Sequence, residues 1–285
     1  MKNQHPTSNI QHPFLIRLKK RLGQHILKDQ GLLEYIADAC DLTPQTTVLE
    51  IGAGIANLTE CLARRAGKVV AVELDEQFRI YHTRLSLHQA NVKFLYEDIL
   101  DMEMDRLEAF READDLVITG NIPFNITGPF LMKMLEGPLH FRRMILMLQK
   151  EVAQRLTAQV GTKATNAFTL KVRYFCEPSI LKVVPRDFFH PKPKVDSAIV
   201  LFLPHTTLPY DTETRRRFFR LLDAAFAQKR KIILNSLLHT CHGAWSKEEL
   251  IRLLQAAGID PVQRAETVSL ERFKTLFEIL KNRWP

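Results

Sequence analysis

The chain has 285 residues, of which 46% are hydrophobic and 25% charged, with 40 Lys and Arg against 32 Asp and Glu for a formal net charge of +8. This balance excludes a disordered or fibrous chain, and at about 150 residues per domain the length predicts two domains burying roughly three-quarters of the unfolded surface. No apolar run approaches the ~18 residues of a membrane span, and no membrane partner is expected.

In chain order, residues 1–16 read as a polar, flexible tail without the apolar stretch of a secretory signal, which predicts a cytoplasmic protein. Five cations follow (Arg17, Lys19, Lys20, Arg21 and Lys28) with no acid before Asp29. Apolar, β-branched runs at 47–51, 69–72, 92–95, 116–119 and 144–148 then alternate with stretches long enough for crossover helices. That alternation predicts an α/β fold, a parallel sheet covered by helices on both faces. Residues 175–184 and 195–203, joined through the proline-rich 185–193, predict an antiparallel pair at the sheet edge.

Beyond Leu203 only helical spacing remains, as in Phe218, Phe219, Leu222 and Phe226 or Phe273, Leu276, Phe277 and Leu280. Ser246 with Glu249 has the pattern of a capping box, and Gly258 that of a helix stop. The expected division is 17–205 for the sheet domain and 209–285 for a small all-α domain. Between Arg215 and Lys231 stand seven cations and one acid, Asp223. Such clusters suit a phosphate backbone, and a solvated helix face has the same composition. Cys40, Cys61, Cys176 and Cys241 form no CxxC pair, so they read as apolar thiols rather than metal ligands or disulfides, and no metal is expected.

Two segments carry chemistry. Glu50-Ile51-Gly52-Ala53-Gly54 passes from a strand toward a helix, and Glu73 ends the next strand, 21 residues after Gly52. Glycines let a backbone approach a ligand, and an acid at that strand end accepts hydrogen bonds from a ribose. This pairing predicts an adenosine-containing cofactor, either a dinucleotide or S-adenosylmethionine; the third glycine of a dinucleotide fingerprint is missing, because Ala56 and Asn57 stand there. After the fourth strand comes Asn121-Ile122-Pro123-Phe124. The exocyclic amine of adenine is a poor nucleophile because its lone pair is delocalised into the ring. A carboxamide oxygen and a backbone carbonyl can accept its two protons and free the lone pair, while an aromatic ring stacks on the extruded base. Asn121, the Ile122 carbonyl, Pro123 and Phe124 provide that set, whereas a plain turn after a buried strand needs only some of it. Asp98, after the third strand, has both a cofactor reading and a reading as an ordinary loop acid.

With these segments in place, the chain resembles the small-subunit (16S) ribosomal RNA adenine N6,N6-dimethyltransferase family over nearly its whole length. The likeness runs through Arg21-Leu22-Gly23-Gln24-His25-Ile26-Leu27, the glycine loop, Glu73, Glu97-Asp98-Ile99, Asn121 to Phe124, and Phe189-His190-Pro191-Lys192-Pro193. It continues in Gln228-Lys229-Arg230-Lys231 and Gly258-Ile259-Asp260-Pro261. The resemblance implies a seven-stranded, Rossmann-like class I methyltransferase sheet with a helical RNA-binding domain. It implies S-adenosyl-L-methionine held by His25, Leu27, Gly52, Gly54, Glu73, Asp98 and Asn121, with the target adenine between Phe124 and Phe189. It further implies a monomer that dimethylates N6 of two adjacent adenines near the 3′ end of 16S rRNA in an immature 30S subunit. Phe124 replaces a usual Tyr, Ala53 and Ala56 replace usual Pro and Gly, and 164–166 departs from a usual Tyr-Gly. A methyl at Ala56 costs cofactor affinity if the backbone there has positive φ. The rivals are a large-subunit dimethyltransferase, an assembly factor that binds without catalysis, and a dehydrogenase.

Overall fold

A computed structural model describes residues 18–103, 105–106, 115–159, 161–162, 164–241 and 245–284. The tail expected at 1–16 and the cation Arg17 lie outside the described residues. The five expected parallel strands form as β2 (Thr47–Ile51), β3 (Lys68–Val72), β4 (Val92–Leu95), β5 (Leu116–Asn121) and β6 (Arg143–Gln149). With β7 (Cys176–Val184) and β9 (Ser197–Pro204) they make one seven-stranded sheet in the order β4-β3-β2-β5-β6-β9-β7. β9 runs antiparallel to both β6 and β7, so the expected edge pair is present. Two further residues pairs form a ribbon the sequence did not announce: β1 (Ile26–Leu27) lies antiparallel to β8 (Phe189–His190).

The sheet is covered on both faces, and the strand period of two sorts its residues between them. Val48, Val69, Ala71, Val117, Ile145 and Met147 join a cluster with α1 (Gln30–Ala39) and α2 (Asn57–Ala63). Their alternates Leu49, Val70, Val72, Ile118, Leu146 and Leu148 join the larger cluster on the other face. That cluster includes residues of α4 (Thr127–Glu136), α5 (Lys150–Thr157) and α6 (Ala167–Phe175). The helix α3 (Arg79–Ser86) connects β3 to β4. Strand order reverses between β2 and β5, which opens a crevice at their carboxyl ends, where open α/β sheets bind ligands.

From Thr212 onward the chain is helical: α7 (Thr212–Phe226), α8 (Ile233–Thr240), α9 (Lys247–Ala256) and α10 (Leu270–Leu280). Ser246 caps α9 by accepting from the Glu249 N–H at 3.1 Å, and Gly258, at φ +71°, follows its end. The apolar core does not stop at the expected boundary of 205–209. Phe219 meets Tyr174 and Phe175 of α6 edge-on at 5.4 and 5.7 Å, and the same cluster continues into Phe273, Phe277 and Trp284.

This packing corrects part of the reading of the cationic run. Arg215 is buried, with its guanidinium 5.1 Å from the centre of the Phe175 ring, and Arg217 donates to the carbonyls of Lys281 and Trp284 beyond α10. Both are structural. Arg216, Arg220, Lys229, Arg230 and Lys231 remain exposed. Among the described residues, no helix is long and apolar enough to cross a membrane. Cys40, Cys61 and Cys176 are buried free thiols, and Cys241 is half-buried.

Candidate active site

The carboxyl ends of β2 to β5 converge on a cavity of about 240 Å³, and the loops that follow these strands supply its wall. His25, Gly52, Gly54, Glu73, Asp98, Asn121 and Pro123 all line it. Leu27 lines a smaller adjoining cavity of about 70 Å³, which shares His25, Gly52, Gly54 and Asn121 with the first.

Sterics dictate the glycines. β5 passes so close to β2 that a Cβ at Gly120 would stand 2.3 Å from the Ile51 carbonyl oxygen. Gly52, at φ +77°, turns the chain out of β2, and a Cβ there would point to within 3.5 Å of the Asn121 carbonyl. The gap beside Asn121 is therefore kept open by the missing side chain. Ala56 has φ +64° and caps α2 without a side-chain bond, so the strained methyl expected from the sequence is present.

Each acid has a defined setting. Glu73 is buried; Oε2 accepts from the Gly54 N–H and Oε1 from the Asp75 N–H, both at 2.8 Å. Burial raises its pKa, and these two bonds hold against the rise without cancelling it. Asp98 accepts the Leu100 N–H on Oδ1 at 2.9 Å, and the loop is anchored by Lys133 Nζ, which donates to the Leu100 and Met102 carbonyls. Among the described residues, no hydrogen bond is made to the second oxygen of Asp98. Glu50, fully buried on the wall of the smaller cavity, has its pKa pushed up to about 7 by burial and by the nearby Glu73 charge, and its Oε2 has no hydrogen-bond partner.

The Asn121 side chain is oriented by one contact: Nδ2–H donates to the His25 carbonyl at 2.8 Å. A carbonyl can only accept, so the amide nitrogen must face it and Oδ1 is left as a free acceptor. The Ile122 N–H donates to the Met147 carbonyl at 3.2 Å, and no described residue donates to the Ile122 carbonyl. Pro123 starts a turn in which its own carbonyl accepts from Ile126 N–H at 3.1 Å. His25 in turn donates from Nδ1 to the Pro191 carbonyl at 2.7 Å and stacks on half-buried Phe124 with ring centres 6.1 Å apart.

Phe189 departs from the expected base sandwich. It pairs with Leu27 in the β1–β8 ribbon, is 5% exposed, and belongs to the apolar cluster with Val184 and Ile199. In this conformation it is packed as a core aromatic, and neither it nor Phe124 lines the two cavities.

Three participants were not singled out from the sequence. Asp75, buried beside Glu73, accepts Lys19 Nζ at 2.7 Å and Gln24 Nε2 at 2.8 Å, which straps residues 19–24 against the cavity that Leu22, Gly23 and Gln24 help to line. Burial disfavours its charge, yet these donors and Gln77 outweigh that and hold its pKa below the usual range. Asn57 donates to the Leu27 carbonyl at 3.2 Å and fixes the ribbon over the glycine loop. For Asp75, proximity to Glu73 was the available signal; Glu50 gave none beyond its place before the glycines. Among the described residues, no group of three or more His, Cys, Asp or Glu is arranged to hold a metal ion.

The family model for ribosomal RNA adenine dimethylase matches residues 16–282. The chain belongs to the ribosomal RNA adenine dimethylase family. It is 40% identical over 278 residues to the ribosomal RNA small subunit methyltransferase A of Geobacillus thermodenitrificans, covering 96% of this chain and 94% of that protein. To the protein of the same name from Anoxybacillus flavithermus it is 39% identical, with 96% and 94% covered. Among solved structures, a dimethyladenosine transferase from Plasmodium falciparum superposes with a TM-score of 0.76 at 26% identity, over 90% of this chain and 98% of that one. The 23S rRNA methyltransferase ErmE superposes with a TM-score of 0.69 at 25% identity, over 90% and 99%. A dehydrogenase is thereby excluded. As a member of this rRNA adenine dimethylase family, the chain is a methyltransferase of ribosomal RNA adenine.

Proposed function

We propose that this enzyme transfers methyl groups from S-adenosyl-L-methionine to N6 of two adjacent adenines near the 3′ end of 16S rRNA in a maturing 30S subunit, acting as a cytoplasmic monomer. The observation that carries the chemistry is the pinned Asn121 carboxamide. Its free Oδ1 and the free Ile122 carbonyl form a pair of acceptors for the two N–H bonds of an adenine amine. Hydrogen bonds from both intact N–H groups favour a more tetrahedral nitrogen and point its lone pair along one direction. The base must leave its stack to reach the turn, and Phe124 offers it a ring to lie against.

The residues on the cavity wall fit the cofactor by the chemistry of their donors and acceptors. Glu73 would accept from the ribose hydroxyls, Asp98 from the adenine amine, and the open backbone at Gly52 and Gly54 would admit the methionine part, with His25 and Leu27 above it. When bound, S-adenosyl-L-methionine supplies a methyl group on a positively charged sulfur, so the chain's own residues need only bind, align and exclude water. A proposed helical RNA-binding domain, 209–285, presents Arg216, Arg220 and Lys229 to Lys231 to phosphates. The small-subunit substrate is supported by the names of relatives aligned over nearly the full chain, whereas the likeness to the 23S enzyme favours the alternative.

Labelled methyl transfer to unmethylated small subunits, large subunits and free rRNA, followed by nucleoside mass spectrometry, separates these readings. Dimethyladenine in small subunits alone is the expected result. Label in large subunits alone would reassign the substrate, and tight binding to small subunits with no transfer would favour a non-catalytic assembly factor.

A further inference from the structure

His82 lies on α3, outside every motif that carries the family likeness, yet it touches the cofactor loop directly. It is 1% exposed. Its ring stacks face to face on Phe94, with centres 4.0 Å apart and planes 2° from parallel. Nε2 is 2.9 Å from the Gly54 carbonyl oxygen and Nδ1 is 2.8 Å from the Tyr96 hydroxyl. The carbonyl can only accept, so the proton sits on Nε2, and Nδ1 must then accept from the Tyr96 O–H. Burial lowers the His82 pKa to about 4, so the ring is neutral and this tautomer is the one that satisfies both partners. The Tyr96 ring is itself held by the Arg79 guanidinium, 3.8 Å from its centre.

Gly54 is thereby gripped from both sides. Its N–H donates to Glu73 Oε2 at 2.8 Å, and its carbonyl accepts from His82. Backbone bonds hold the loop at Gly52 and Ala56, but a glycine at φ +53° with nothing near its missing Cβ has no steric restraint of its own, so at Gly54 these two bonds set the position of the peptide. We infer that His82, aligned by Tyr96, is a positioning residue that fixes the Gly54 carbonyl and through it the cofactor-binding geometry of the glycine loop and Glu73. This rests on the cofactor reading above and names a determinant of cofactor affinity within it. The competing reading is an ordinary core histidine whose hydrogen bonds matter only for stability.

The two readings separate in binding, not in stability. S-adenosyl-L-homocysteine would be titrated calorimetrically into the full-length wild type, His82→Leu, His82→Gln and Tyr96→Phe, with thermal unfolding and steady-state KM and kcat for each. Removing the donor leaves the Gly54 carbonyl without its His82 partner and free to shift, so His82→Leu is expected to bind about tenfold more weakly, with KM for S-adenosyl-L-methionine rising in step and kcat changing less than about twofold. His82→Gln, whose amide N–H reaches the same carbonyl, recovers most of that affinity, and Tyr96→Phe loses about threefold. Equal affinities in the folded variants, whatever their melting temperatures, would overturn the inference. If His82→Leu does not fold, Tyr96→Phe decides: wild-type affinity in that variant overturns it, and a threefold loss supports it. A wild type that binds no nucleoside ligand would instead overturn the cofactor reading itself.

Discussion

The 2.8 Å bond between Asn121 Nδ2 and the His25 carbonyl does at residue scale what no backbone feature of the turn does: it decides which end of the carboxamide meets the substrate. Asn121→Ala removes the acceptor and should lower kcat by about 100-fold or more, with the circular dichroism spectrum unchanged. Asn121→Asp should be as inactive, because a carboxylate has no N–H for His25. Activity retained by Asn121→Asp would show that orientation by His25 is irrelevant. Ala56 gives a prediction of opposite sign. At φ +64° its methyl costs about 1–2 kcal/mol, and glycine returns about 0.4–1 kcal/mol of that through the freer unfolded chain. Ala56→Gly should therefore raise the melting temperature by about 1–3 °C and tighten cofactor binding. Glu50 is a third case. Its folded pKa, about 7, lies above the unfolded value, so the favourable contribution of the protonated carboxyl is complete below the unfolded pKa and is lost as pH rises toward 7. Glu50→Gln stays neutral at all pH, so in ligand-free melts it should match wild type near pH 5 and exceed it at pH 8, by on the order of 2–3 kcal/mol. A pH-independent difference would mean Glu50 is neutral or solvated throughout.

At the scale of elements, what sequence could and could not disclose follows from length. The strand at 47–51 formed with the limits its apolar run suggested, because every residue of it is buried, and 92–95 kept its limits as the half-buried edge strand. The strand expected at 175–184 begins one residue later, at Cys176, because helix α6 claims Phe175, whose ring packs edge-on against Phe219. The β1–β8 ribbon was invisible because two-residue strands have no period, and with it went the burial of Phe189. The strap against the cavity was equally hidden: Lys19 read as part of a cationic run, whereas in the fold it neutralises Asp75. That reassignment is testable. Asp75→Ala removes the acceptors for Lys19 and Gln24, so amide hydrogen exchange in residues 19–25 should accelerate while β2 to β5 keep their protection, and ligand affinity should fall about tenfold. Unchanged exchange in 19–25 would mean that the ribbon alone holds the strap down.

Over the whole molecule the formal charges sum to +8, and the fold decides which of them contribute to an external field. Within the run from Arg215 to Lys231, one guanidinium is stacked against Phe175 and another ties down carbonyls beyond α10, while Lys229, Arg230 and Lys231 stand exposed in the turn between α7 and α8. Helical spacing places Arg215 on the face of Phe218, Phe219 and Leu222, whereas the role of Arg217 depends on where the chain beyond α10 packs, which no local pattern discloses. Counterion release turns the distinction into numbers. Each phosphate contact adds about 0.7–0.9 to the slope of log affinity against log salt, so replacing Lys229, Arg230 and Lys231 together by Ala should reduce that slope by about 2–3 for small-subunit RNA, with the melting temperature unchanged. Arg217→Ala should do the reverse, lowering the melting temperature by a few degrees through the lost carbonyl bonds while leaving the slope as in wild type. If the triple variant keeps the full slope, the RNA crosses another face of the protein, and the exposed Arg216 and Arg220 on α7 become the next pair to remove.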